Sequence, residues 1–181
     1  AGEAIYTGAK ITNAATISHD SGTWARETHV LSYENNVHEG TAPAKMIVGG
    51  ATASTTFKIN PATITSDMIT LSPENATYTG GTFFPQVTVT FNGATLLEDT
   101  EYTLSWDKSG FTNSDIYTVT ITGMGNFEGT KNAVFSINPA EIKGAVVTLD
   151  QNTFVYDGQS HKPTAIVTFN GDTLTEGVDY E

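Results

Sequence analysis

At 181 residues, with a formal net charge of −12 and only 8 Lys and Arg, the chain is too acidic to partner nucleic acid or an anionic membrane, since both need clustered positive charge. It has no cysteine, which excludes disulfides and thiolate metal sites, and no apolar run of roughly 18 residues that could span a bilayer as a helix. The 31 Thr and 17 Gly, without long stretches of Ala, Leu, Glu and Lys, favour pleated strands over helix. No signal peptide is visible, and Ala1 reads as the start of a cut fragment.

In chain order, residues 1–60 read as a divergent module that lacks its first strand. It carries Tyr6-Thr7-Gly8, then His29-Val30-Leu31-Ser32-Tyr33, then Thr56-Phe57-Lys58-Ile59-Asn60 before Pro61. Residues 61–139 read as a complete module. Ile69 and Leu71 alternate with polar residues until Pro73 interrupts the strand. Val87, Val89 and Phe91 share one face of the next strand, and Asn92-Gly93 is a two-residue hairpin signal because both positions tolerate positive φ. Tyr102, Leu104 and Trp106 form a further inward set, as do Tyr117, Val119 and Ile121. Gly123, Gly125, Asn126 and Gly129 mark a second tight reversal before Ala133, Phe135 and Ile137 close the module. Pro139 holds Asn138 extended, so no linker separates this module from the next.

Residues 140–181 repeat only the first half of that module: Val147 and Leu149, then Val167 and Phe169, then the Asn170-Gly171 hairpin and Tyr180. Laying 61–103 on 139–181 needs no gap and gives 17 identities in 43 positions at an offset of 78. A fixed period of this length marks a modular array. Short alternating strands at near-regular spacing predict tandem β-sandwich modules, all-β, in a rod-like array. Val87, Val89, Leu104, Trp106, Val119, Ile121, Phe135 and Ile137 are expected in the core.

The ordered motifs Tyr78–Gly80, Phe91–Leu96, Glu101-Tyr102, Val119–Thr130 and Phe135–Ile137 resemble the MBG/YDG-type immunoglobulin-like repeats of bacterial cell-surface proteins. The resemblance covers 61–139 and the half-module 140–181. Residues 1–60 depart from it, with Ser21-Gly22 in place of Asn92-Gly93 and Gly49-Gly50-Ala51 in place of the Gly-x-Gly-Asn-Phe turn. It implies immunoglobulin-like modules serving as a stalk or adhesive segment of a large exported protein, extracellular or at the cell surface, with no enzymatic role for the repeat itself.

No set of residues reads as catalytic. Ser18-His19-Asp20-Ser21 contains triad residue types, but sequence neighbours seldom form a triad and no nucleophile elbow is present. His19, His29 and His38 lack metal-ligand spacing, and His29 stands where Tyr102 does, as a strand residue. Glu98–Glu101 and Glu176–Asp179 are the nearest approach to a calcium loop; the plainer reading is a solvated turn. Lys143 has no counterpart in the same strand of the preceding module, so a Lys–Asn cross-link in every module is not expected. No metal or cofactor is expected. Trp24, Phe83 and Phe84 are the candidates for a glycan-stacking platform, and His161-Lys162 stands where Phe83-Phe84 does, so the fold does not need that pair.

The leading expectation is therefore a non-enzymatic spacer or adhesive segment. The alternative is a carbohydrate-binding module, appended to a glycan-degrading enzyme, whose partner is a polysaccharide or cell-surface glycan. The half-module leaves Val147, Leu149, Val167 and Phe169 without an opposing sheet, which predicts strand-exchanged self-association through residues 140–181, at module 1 of a second copy, or loose packing there. A fragment cut at an arbitrary point would leave the same half-module.

Overall fold

In the computed structural model, residues 2–13, 30–48 and 50–181 are described. In chain order the strands are β1 (Glu3–Ile5), β2 (Val30–Tyr33), β3 (Gly40–Val48), β4 (Ala51–Asn60), β5 (Ala62–Thr63), β6 (Ile69–Ser72), β7 (Asn75–Thr77) and β8 (Gln86–Phe91). They continue with β9 (Ala94–Thr95), β10 (Tyr102–Trp106), β11 (Asp115–Gly123), β12 (Phe127–Glu128), β13 (Thr130–Asn138), β14 (Val146–Leu149), β15 (Ala165–Phe169) and β16 (Asp172–Thr173). The helical elements among the described residues are two single 3-10 turns, Ser66–Met68 and Ile142–Gly144, so the protein is nearly all-β.

The strands form several sheets, and two patterns recur. One is four-stranded, in the orders β1-β4-β3-β2 and β7-β13-β11-β10. In both, the short first strand runs parallel to the closing strand: Ala4 opposes Ile59, and Ala76 opposes Ile137. The following Tyr then continues the ladder, with Tyr6 N–H donating to the Asn60 carbonyl at 2.9 Å and Tyr78 N–H to the Asn138 carbonyl at 2.8 Å. The other pattern is three-stranded, in the orders β6-β8-β9 and β14-β15-β16. Residues 140–181 thus contain the three-stranded sheet without a four-stranded one.

The chain divides into two compact units. The first comprises Ala1–Leu71, Gln86–Asp107 and Thr118–Ala133. In its N-terminal part, Ala42, Phe57 and Ile59 form a buried cluster against which Tyr6, Ile11 and Tyr33 pack. Ala42 and Ala44 lie on β3 where Tyr117 and Val119 lie on β11, and the larger neighbours fill the space that small residues leave. Buried Asn36 holds the loop below: its Nδ2 donates to the Ile11 carbonyl at 2.8 Å, and its own carbonyl accepts the Ile11 N–H at 2.8 Å. Further along, Val89, Tyr102, Val119 and Ile121 are buried. The Asn92-Gly93 hairpin forms with φ of 50° and 83°, pairing Phe91 with Ala94 as the turn chemistry requires.

The second unit comprises Ser72–Pro85, Lys108–Tyr117 and Val134–Glu181. Phe135 and Ile137 are buried there, and Phe111, Tyr117 and Phe135 form an aromatic group with centroids 5.0–6.5 Å apart. Tyr117 Oη donates to the Asn113 carbonyl at 2.9 Å, which satisfies the hydroxyl of a buried ring. Lys108 Nζ sits 2.6 Å from Asp115 Oδ2, and that hydrogen bond, more than the adjacent Ile116 N–H, holds the Asp115 carboxyl below the usual carboxylate range. The Asn170-Gly171 hairpin repeats the first one, with φ of 51° and 97°.

Three of the expected core residues are only half-buried: Val87, Leu104 and Trp106. Leu104 and Trp106 lie on β10, an edge strand of its sheet. Val87 lies at the start of β8, beyond the reach of two-residue β9, which pairs only with Thr90 and Phe91. In the half-module the outcome divides. Val147 and Leu149 on β14 are exposed, as expected of a sheet without a mate. Val167 is buried and Phe169 half-buried, because β15 is the central strand and the loop after β16 folds back onto it, Leu174 N–H donating to the Val167 carbonyl at 2.8 Å.

Candidate functional site: an aromatic module junction

In the first unit the motifs of the repeat meet at one place. β4 ends at Asn60 and β5 begins at Ala62, so a single residue, Pro61, joins the two strands. β5 then pairs in parallel with β12, Ala62 opposite Phe127 and Thr63 opposite Glu128. Ala62 N–H donates to the Asn126 carbonyl and Ile64 N–H to the Glu128 carbonyl, both at 2.9 Å.

The partner of this strap is the reversal between Gly123 and Gly129. Gly123 N–H donates to the Gly129 carbonyl at 2.9 Å and Met124 N–H to the Glu101 carbonyl at 2.8 Å. A Cβ on Gly123 would lie 2.7 Å from Glu128 N and 2.9 Å from Phe127 C, so only glycine lets the backbone close this tightly. Phe127, 2% exposed, meets Tyr6 edge-on at 5.4 Å and Phe91 edge-on at 5.1 Å, and Tyr6 stacks on Phe91 at 5.9 Å. Asn126 Oδ1 accepts the Glu39 N–H at 2.9 Å, and its Nδ2 stands 3.1 Å from His38 Nδ1. Asn92 Nδ2 donates to the Thr7 carbonyl at 3.1 Å. Residues from Tyr-Thr-Gly, Phe-Asn-Gly and Gly-Asn-Phe therefore meet in one junction within the first unit, flanked by a cleft of about 450 Å³ that Leu96 and Glu101 also line.

Glu101 has a structural task here. Its Oε2 accepts the Leu97 N–H at 2.9 Å, closing the loop that ends in a bridge between Glu98 and Tyr102. Asp179 does the same for Thr175 at 2.7 Å, next to the bridge between Glu176 and Tyr180. The acidic turns are thus stapled loops, and among the described residues no group of three or more His, Asp or Glu is placed to hold a metal. Burial, and secondarily the Glu98 charge, push the Tyr102 hydroxyl above its ordinary value.

In the second unit the counterparts of Tyr6, Phe91, Leu96 and Glu101 are Tyr78, Phe169, Leu174 and Asp179. They line an open cleft of about 400 Å³ together with Pro139 and Ile142.

Of the glycan-platform candidates, Phe84 is 80% exposed, whereas Phe83 is half-buried, its N–H donating to the Phe111 carbonyl at 3.0 Å. Trp24 lies outside the described residues, as do Ser18, His19, Asp20, Ser21 and His29. Lys143 is exposed on the 3-10 turn Ile142–Gly144, not on β14. The junction role of His38, Asn92, Asn126 and Phe127 is absent from the sequence reading. The available signal was Asn beside Gly in two turns, Asn92-Gly93 and Gly125-Asn126, where Gly alone would have served the backbone.

No family model matches the chain, and no curated protein sequence matches it. Among solved structures, the chain is similar to the crystal structure of domains 4 and 5 of the S-layer protein SbsC, with 16% sequence identity, 75% of this chain and 93% of that chain covered, and a TM-score of 0.25. A likeness this slight carries no argument about fold or function.

Proposed function

We propose that the protein is a non-enzymatic structural segment, a spacer of tandem immunoglobulin-like modules in an exported bacterial surface protein. The observation that carries the reading is the junction at Pro61. One residue joins two modules, and the motif side chains of both are spent on locking it: Phe127 between Tyr6 and Phe91, Asn126 on the 38–39 backbone and side chain, Asn92 on Thr7. A spacer needs this, because a module that swivels freely transmits neither position nor load. The acidic surface, with a net charge of −12, keeps such an array soluble and disperses it from like-charged chains. A glycan-binding role would draw on Phe84 among the described residues, and a stacking platform of several coplanar rings would be needed to support it.

The test is NMR relaxation on the intact chain. Amides of β3 and β4 should share one rotational correlation time with those of β8 and β10. Inserting four Gly-Ser residues between Pro61 and Ala62 should give the two groups different correlation times. Independent tumbling in the unmodified chain would overturn the spacer reading.

A further inference from the structure

Two dipeptides of the chain, Asn92-Gly93 and Asn170-Gly171, join an amide side chain to a residue with no side chain of its own. Such a pair can react with itself, because nothing on the glycine keeps its backbone nitrogen from closing a five-membered ring on the asparagine side chain. Both pairs are exposed, both sit in two-residue turns with positive φ, and a Cβ on either glycine would meet nothing within 4 Å. Backbone and access are therefore alike at the two turns.

The side chains are held differently. Asn92 Nδ2 donates to the Thr7 carbonyl at 3.1 Å. Thr7 follows Tyr6, whose ring stacks on Phe91 at 5.9 Å and meets Phe127 edge-on at 5.4 Å. The Asn92 amide is thus tied to the aromatic junction through the residue next to one of its rings. The Asn170 side chain makes no hydrogen bond among the described residues.

We propose that Asn92 is a self-modification site, an asparagine that deamidates spontaneously at a rate set by opening of the junction. The Gly93 nitrogen gives its proton to base in the solvent and attacks Cγ of Asn92. The Cγ–Nδ2 bond breaks, and Nδ2 takes up a proton and leaves as ammonia. Water then opens the cyclic imide, at Cγ to give aspartate or at the Asn92 backbone carbonyl to give isoaspartate. The net change is one water gained and one ammonia lost. While Nδ2 is bonded to Thr7, the amide is kept from the geometry that ring closure needs, so the reaction waits for local opening of the segment that carries Thr7. Either product acts back on the junction. A carboxylate has no N–H to offer the Thr7 carbonyl and faces it as a second acceptor. Isoaspartate also lengthens the main chain inside a two-residue turn, which disturbs the pairing of Phe91 with Ala94 and with it the ring that meets Phe127 at 5.1 Å.

The test is timed incubation of the intact folded chain in mildly alkaline buffer, with the same chain unfolded in urea alongside. Proteolysis and mass spectrometry then give the conversion at 92 and at 170. Protection, the ratio of unfolded to folded rate, should be at least about threefold greater at Asn92 than at Asn170. Asn126→Ala removes the bonds to His38 and Glu39 without touching a core ring, and should speed conversion at Asn92 while leaving Asn170 unchanged. Phe127→Ala should do the same more strongly. Protein converted at Asn92, separated by charge, should melt below the unconverted chain. Equal protection at the two sites, an unchanged Asn92 rate in both variants, or an unchanged melting temperature after conversion would overturn the proposal.

Discussion

Phe127→Ala should lower the melting temperature more than any other single change at the junction. The ring is 2% exposed and is gripped by Tyr6 and Phe91 at 5.4 and 5.1 Å, so truncation removes both burial and two edge contacts. Phe-to-Ala changes in cores cost about 3–5 kcal/mol, which for a chain of this size is a fall of roughly 10 °C. The variant should still fold, because the four-stranded sheets themselves keep their cores: Phe57 and Ile59 in one, Val119 and Ile121 in the other. Calorimetry should therefore show a lower midpoint and a broader transition, as the two modules unfold with less coupling. A shift under about 2 °C would mean that the ring fills space without supporting the junction.

Gly123→Ala should have the next largest effect, although it adds a single methyl group. The added carbon would stand under 3 Å from two backbone atoms, Glu128 N and Phe127 C, and neither can rotate away as a side-chain tip would. The turn must open, which strains the Gly123–Gly129 hydrogen bond and displaces Asn126 and Phe127 together. Overpacking of this kind costs about 1–3 kcal/mol or somewhat more, hence a fall of roughly 5–10 °C in denaturation experiments. Gly93→Ala is the comparison: it has open space around its Cβ and pays only for its positive φ of 83°, so it should cost less.

The parts of the fold legible in the sequence were those governed by local rules. The Asn92-Gly93 and Asn170-Gly171 hairpins form with positive φ at all four residues, because that is what a two-residue turn demands of its backbone. Val89, Val119, Ile121, Phe135 and Ile137 are buried as alternation predicts. Alternation says which face a side chain takes, not how much covers it, and so Leu104 and Trp106 on an edge strand are only half-buried. The junction was not legible, for a related reason. A repeat shows that a residue recurs, and a turn motif explains recurrence by backbone geometry alone. That Asn126 and Phe127 reach residues 88 and 121 positions away, His38 and Tyr6, depends on how this turn meets segments distant in the chain. Glu101 and Asp179 were read as parts of solvated turns; that each carboxylate accepts the N–H four residues earlier, of Leu97 and Thr175, emerged only from the structure.

A double-mutant cycle between Tyr6 and Phe127 tests the junction most directly. The two rings come from segments on either side of Pro61 and meet edge-on at an interplanar angle of 83°. If they lock the modules together, Tyr6→Ala and Phe127→Ala should be non-additive in equilibrium unfolding, with a coupling of about 0.5–1.5 kcal/mol. Additivity to within about 0.3 kcal/mol would show that the modules are energetically independent across Pro61, and would contradict the account.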